Sequence, residues 1–378
     1  MLLLAAIALA ARARSLGPAL QHTPRAVLAC FAAWALLATL SLAWSVQPSY
    51  TLGELRAEIV YPALALAVFF LAAAQDASRW RIWWNALLAG SLVMLAALVL
   101  QGMLPFALTR HSVLEQRGPW STHLVLIAPL LFVFGWPRPW GEGRAPWVQA
   151  IALATLLFAA WETENRMMWV AFGAQLVLAM ALWRSTPAME PTRMRDLKRL
   201  TIAAVLVVVV AFAGALVERN ARFFGAQAPV MTSFERDLRP KIWSAAVEKW
   251  RAAPWLGYGF GREIVADTFV PLTPRVADHP QMRHAHNVFL DVALELGVVG
   301  LALLLALLAA LAREYRGFLR RAEVAPLGVL GLTLIAGFVV KNLTDDFMHR
   351  HNATVFWALN GMLLGLGSAA RREDREAT

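Results

Sequence analysis

The stretch Arg283-His284-Ala285-His286-Asn287 runs directly into a long apolar segment, so His286 stands where a helix begins at the edge of a hydrophobic layer. The positive end of a helix dipole and the neighbouring arginines disfavour an imidazolium there, leaving a neutral ring able to accept a proton. Two basic residues lie at comparable edges, Arg166 in Glu164-Asn165-Arg166 and Lys341 at the end of another apolar run, with Arg117 on a further connection and Arg239 before Pro240 inside a long one. Guanidinium groups bind phosphate oxygens in pairs and stay charged where water is scarce, so these side chains suit a phosphorylated ligand. A metal reading of His279, His284 and His286 with Asp278 competes with this one, since residues two apart share a face in extended chain. It is the weaker reading, because no Asp-x-Asp pair accompanies it. Asp345 and Asp346 point different ways from a helix end, where they read as solvated acids; Asp345 could also orient His286.

These residues need a membrane scaffold. The chain has 378 residues, 59% of them hydrophobic and only 16% charged, too little polar surface to cover a soluble globule. A hydrocarbon layer of roughly 30 Å takes about 20 helical residues to cross. Apolar runs of about that length fall at 25–46, 54–74, 82–103, 121–136, 146–161, 166–183, 200–217, 286–311, 324–340 and 353–366, with a shorter one at 1–11. The expected fold is all-α, a polytopic transmembrane bundle of about 11 to 12 helices. The net charge of +10 reports orientation and not nucleic-acid binding, because the basic residues sit between apolar runs. Connections holding Arg138, Arg144, Arg193, Arg195, Arg199, Arg313, Arg320 and Arg371 alternate with those holding Arg110, Arg117, Arg166, Lys341 and Arg350. The positive-inside rule puts the first set and the C-terminus in the cytoplasm, and His286 on the opposite face. Cys30 has no second thiol to pair with, which excludes an intramolecular disulfide.

The expected organisation is an N-terminal helical part (1–217), one large external loop (218–285), C-terminal helices (286–370) and a cytoplasmic tail (371–378). Within the loop, 238–251 places Ile242, Trp243, Ala246, Val247 and Trp250 at helical spacing behind Pro240, an amphipathic helix that lies on the membrane or packs on the bundle mouth. Ala293 and Gly297, four apart, have the spacing that lets helices approach closely. Arg56, with Glu54 and Glu58, reads as a local ion-pair group near the same face.

His286-Asn287, nine residues, then Gly297-Val298-Val299-Gly300 resembles the H-[N/S/Q]-x9-G-x-x-G signature of the O-antigen ligase family, which also contains O-antigen polymerases and bacterial protein O-oligosaccharyltransferases. Arg239-Pro240-Lys241-Ile242-Trp243, the following Pro254 and Gly257-x-Gly259, and Arg166 at a helix start are similar to further parts of that family's pattern. The resemblance implies a multi-pass protein of the bacterial inner membrane with a periplasmic site. Its donor would be an undecaprenyl-diphosphate-linked glycan and its acceptor the lipid A-core oligosaccharide. It further implies an inverting transfer without metal, ATP or other cofactor. His286 would be the base; Arg166, Arg239, Arg117 and Lys341 would hold the diphosphate; Asn287, Gly297, Gly300 and Asp345 would support them. Polymerase and protein-glycosylating activities remain open, as does a flippase for the lipid-linked glycan. The flippase lacks the paired interrupted helices or mid-membrane charges that transport demands.

Overall fold

A computed structural model describes residues 23–75, scattered positions between 82 and 93, 117–134, 146–163, 165–186, 191–225, isolated positions between 227 and 232, 237–272, 282–346 and 349–377. Its elements, in chain order, are α1 (Arg25–Leu40), α2 (Pro48–Leu55), a π turn (Arg56–Val60), α3 (Tyr61–Ala73), α4 (Arg117–Phe134), α5 (Pro146–Glu162), α6 (Arg166–Arg184), α7 (Pro191–Phe224), α8 (Arg239–Ala252), α9 (Ala266–Phe269), α10 (Val288–Phe318), α11 (Ala325–Asn342) and α12 (His351–Ala377). The described residues are all-helical, without a strand. Among the described residues, six helical stretches are long and apolar enough to cross a membrane: Arg25–Ala43, Pro48–Ala73, Arg166–Arg184, Val288–Phe318, Ala325–Asn342 and His351–Arg372. The chain is a multi-pass membrane protein. The spans expected at 1–11 and, for the most part, 82–103 lie outside the described residues.

Observed helices overrun the apolar runs. α7 and α12 continue into charged sequence because hydrophobicity marks the membrane crossing, whereas a helix ends at a cap or breaker. The main core lies between α1, α3, α10, α11 and α12 and includes Phe31, Phe70, Leu311, Leu330, Phe338 and Phe356. α12 lies close against α3: a methyl on Gly361 or Gly365 would come 2.5 Å from the carbonyl oxygen of Leu66 or Phe70. Small residues permit such contact where lipid supplies no hydrophobic drive between helices. A second core joins α4, α5, α6 and α7 through Leu156, Trp169, Phe172 and Val208. Gln175 of α6 crosses between the two, donating to the carbonyls of Val125 (2.9 Å) and Thr333 (3.2 Å).

The pair Ala293 and Gly297 does not work by close helix approach, as the spacing suggested. α10 breaks at Gly297, whose φ of 66° and ψ of −163° belong to a region that only glycine occupies readily. The break frees backbone groups, and a buried orphan is costly in lipid. The turn 254–260 satisfies them. Tyr258 and Gly259 N–H donate to the carbonyls of Leu294 and Glu295 (both 2.9 Å), and Val298 N–H donates to the Pro254 carbonyl (2.8 Å). The same turn is tied to the α1–α2 connection, with Val46 N–H donating to the Tyr258 carbonyl (2.9 Å) and Phe260 N–H to Ser41 Oγ (2.9 Å). Gly300 leaves room for Leu296, which folds over it at the break. α8 packs on the bundle mouth: buried Ile242 and Ala246 meet Ile264, Phe269, Ala285 and Leu294.

Gly297→Ala forces alanine into a glycine conformation and puts its methyl onto the Trp255 carbonyl. It should destabilise the protein by more than about 2 kcal/mol in a thermal or denaturant melt in detergent. Gly53→Ala, where a methyl meets nothing within 4 Å, should leave the transition unchanged or slightly raised.

Candidate functional site

The turn that carries His286 is held from three sides. Asn287 is the N-cap of α10, its side chain accepting from Phe289 N–H (3.0 Å) and Leu290 N–H (3.2 Å). Its amide also donates to the Leu343 carbonyl (2.8 Å), tying the turn to the end of α11. Ala285 N–H donates to Asp291 Oδ1 (2.7 Å), and the Ala285 carbonyl accepts from Trp243 Nε1 (3.0 Å). Trp243 belongs to α8, one turn after Arg239, so the histidine and the arginine share a rigid reference. His286 itself precedes the cap with a φ of 51°, which favours glycine.

Asp345 is where the sequence-predicted residues meet. It sits three residues past the end of α11, only 3% exposed, and receives the Lys341 ammonium on Oδ2. Asn165 Nδ2, at the N-cap of α6, donates to the same oxygen (3.1 Å). Arg239 Nη2 and His286 Nδ1 face Oδ1 at 3.5 and 4.0 Å. Asp237 then links Arg239 (3.0 Å) to Arg166 (3.5 Å). Four separate segments, α6, α8, α11 and the 284–287 turn, thus converge on two carboxylates. Lys341 is wholly buried behind Asp345, while Arg239 keeps 25% and His286 15% of its side chain accessible. Arg117 opens α4, but its side chain lies outside the described positions.

The electrostatics follow from this packing. Burial, then the adjacent His284, and then Arg239 and Arg262 hold His286 well below 6.5 against the pull of Asp345, so the imidazole is neutral at pH 7. Arginine charge enters as the sequence suggested; burial, which the sequence did not reveal, is the larger cause. Burial alone would lift Asp345, yet Lys341, Arg239 and His286 bring it below the usual carboxylate value. Three cations (Arg166, Arg239, Lys341) against two carboxylates (Asp237, Asp345) leave one net positive charge, favourable to an anion.

Asp345 and Asp346 do diverge, but neither is a solvated acid: both are buried. Asp346 faces Asp291, His284 and Arg262, and burial followed by Asp291 lifts it to about 6. Arg262, which the sequence reading passed over, donates from Nη1 to the Asp346 carbonyl (2.6 Å). Its signal is its place directly after the Gly259-Phe260-Gly261 turn that docks on the broken helix. His284 is lowered to about 4 by burial and then by Arg262. Arg56 is exposed and apart from this group; Glu54 and Glu58 meet His349, and Glu54 also meets Arg350 (3.4 Å), in place of the local pairing expected. Glu58, Arg262, Glu295 and Asp346 form the polar end of a cavity of about 50 Å³ whose remaining walls include Trp34, Phe260, Leu307, Phe338 and Trp357. Two described groups have metal-ligand composition, His284 with Asp291 and Asp346, and Glu54 with Glu58 and His349. His279 and Asp278 lie outside the described residues.

Removing the Asp345 carboxylate strands a buried ammonium. Asp345→Ala should cost about 3–5 kcal/mol in a detergent melt, and Asp345→Leu combined with Lys341→Met should recover most of that loss.

No curated relative matches the chain. Residues 151–305 match the family model described as O-antigen ligase. The matched stretch begins inside α5 and takes in Arg166, Asp237, Arg239, the His286 turn and the break at Gly297, while Lys341 and Asp345 lie beyond it. Through this stretch the chain is similar to the O-antigen ligase family.

Proposed function

We propose that the chain is an O-antigen ligase, moving a glycan from undecaprenyl diphosphate to a sugar hydroxyl of the lipid A-core oligosaccharide on the periplasmic face of the bacterial inner membrane. One observation supports this reading: a buried neutral histidine and two arginines gather around two linked carboxylates, Asp345 and Asp237, at the same end of the bundle. The acceptor hydroxyl gives its proton to the His286 imidazole while its oxygen bonds to the anomeric carbon. The bond from that carbon to the diphosphate oxygen breaks, and the lipid diphosphate departs with the electron pair. Displacement in one step inverts the sugar. The leaving group carries about two negative charges, which Arg166 and Arg239 meet once it displaces Asp237. Lys341 acts from behind by fixing Asp345, and Arg117 would add a further charge from α4. Asn287, Gly297 and Gly300 hold the turn and the broken helix. With guanidinium groups balancing the diphosphate, the transfer draws on neither metal ion nor ATP.

Reconstituted protein is supplied with an undecaprenyl-diphosphate glycan and, in separate reactions, rough lipopolysaccharide, a peptide acceptor, or excess donor. Glycosylation of the lipopolysaccharide is the expected outcome; elongated donor would make the chain a polymerase, and a glycosylated peptide a protein-modifying enzyme. His286→Ala should abolish transfer while leaving donor binding largely intact, whereas Arg166→Ala or Arg239→Ala should weaken both. Because the imidazole is held well below 6.5, kcat/KM should stay flat as the pH falls from neutrality through 6.5, and the protonation limb should appear only at lower pH. Asp345, Arg239, His284 and Arg262 are the charged and titratable groups around that ring. A limb centred at 6.5 would mean that the base is an unperturbed, solvated histidine.

A further inference from the structure

His286 stands in a left-handed backbone conformation without being glycine, so something must hold it there. The polar groups beside it are met by side chains, and one of those side chains is hard to explain otherwise. Asp291 lies in the first turn of α10, 1% exposed, and turns both oxygens back toward the 284–287 turn. Oδ1 accepts from Ala285 N–H (2.7 Å). Oδ2 faces His284 Nδ1 at 3.5 Å, with the Asp346 carboxyl beside the same side chain. That nitrogen accepts the His286 backbone N–H (3.2 Å), and the His284 ring lies against the His286 ring with centroids 4.1 Å apart and planes 36° from one another. A chain of contacts thus runs from a rigid helix, through His284, to both the backbone and the ring of His286.

Resting on the reading of His286 as the base, we propose that Asp291 and His284 are its positioning residues, and that Asp291 works through hydrogen-bond shape and not through charge. Its position requires an acceptor toward the Ala285 and Asn287 backbone N–H groups, and the neighbouring Asp346 carboxyl is met as well by an amide as by a second acid. Toward His284 it requires no negative charge, because Nδ1 there is already an acceptor and offers Oδ2 nothing in return. Asparagine supplies the same acceptor and puts an amide donor opposite Nδ1, so it fits the site at least as well as aspartate. A role as proton relay, or as a metal ligand together with His284 and Asp346, whose ligand atoms lie within 4.8 Å of one another, demands the carboxylate.

The test compares Asp291→Asn, Asp291→Ala and His286→Ala in the full-length protein in proteoliposomes. Initial rates are measured at varied concentrations of the undecaprenyl-diphosphate glycan, with the thermal transition of each variant taken in parallel. Asp291→Asn should keep kcat within about threefold of the parent. Asp291→Ala should lose about a hundredfold in kcat with the donor KM unchanged, the loss expected when a reacting group is displaced by about 1 Å. The proposal is overturned if a folded Asp291→Asn is as inactive as His286→Ala, or if Asp291→Ala keeps its kcat. Should the alanine variant not fold, the asparagine variant decides alone. Full turnover by His286→Ala would remove the base itself; an inactive His286→Ala beside an unimpaired Asp291→Ala would remove only the positioning claim.

Discussion

Asp345 constrains the rest of this molecule. A carboxylate 3% exposed at a membrane protein's helix end is tolerable only with its charge met, because desolvation outweighs any single ion pair of imperfect geometry. Lys341 approaches along α11, Asn165 from the cap of α6, Arg239 from the start of α8, and His286 from the turn before α10. Meeting that charge fixes the relative placement of four segments far apart in sequence. The residues able to hold a diphosphate and accept a proton are therefore positioned by the requirement that keeps the fold closed.

The second constraint lies in the backbone. A transmembrane helix that breaks must have its freed groups satisfied, and α10 breaks beside the cavity where Glu295, Arg262 and Glu58 meet. The turn 254–260 supplies the missing partners and carries Arg262 into place immediately after. Gly257, with a φ of 64°, allows that turn to lie against Leu294 and Glu295, and Gly259, at 111°, allows it to lie against Ser45 of the α1–α2 connection. Glycines distant in sequence are two halves of one docking arrangement, and the 254–260 turn and the broken helix form one structural unit.

The sequence made much of this legible. Hydrophobic run length identified each of the six spanning helices, and helical spacing behind Pro240 located α8 to within a residue at each end. Arg166, Lys341, Asp345 and His286 were legible as candidates because each is a charged or titratable residue at the edge of an apolar run, and Arg239 through the family-like Arg239-Pro240-Lys241-Ile242-Trp243 segment. Burial was not legible: Asp345 and Asp346 look like loop acids until the chain closes over them. The role of Gly297 was hidden for a related reason, since small-residue spacing reads alike for helices that touch and for a helix that breaks against a loop. Arg262 and the His284–Asp291 contact depend on tertiary placement, which periodicity does not encode.

At the His286 end of the bundle, Arg166, Arg239 and Lys341 group with Asp237 and Asp345, whereas Asp346 groups with Asp291, His284 and Arg262. Under the proposed function, an anionic leaving group would lie against the first group, where one net positive charge remains, and the neutral imidazole would take the proton of the incoming hydroxyl. The most direct test is a cryo-electron microscopy structure with a non-transferable undecaprenyl-diphosphate analogue bound. The account predicts density for the diphosphate between Arg166 and Arg239, with Asp237 displaced and the anomeric carbon about 3–3.5 Å from the oxygen of a hydroxyl that donates to His286. Diphosphate density at Arg262 or Arg350, with the Arg166–Asp237–Arg239 contacts intact, would contradict it.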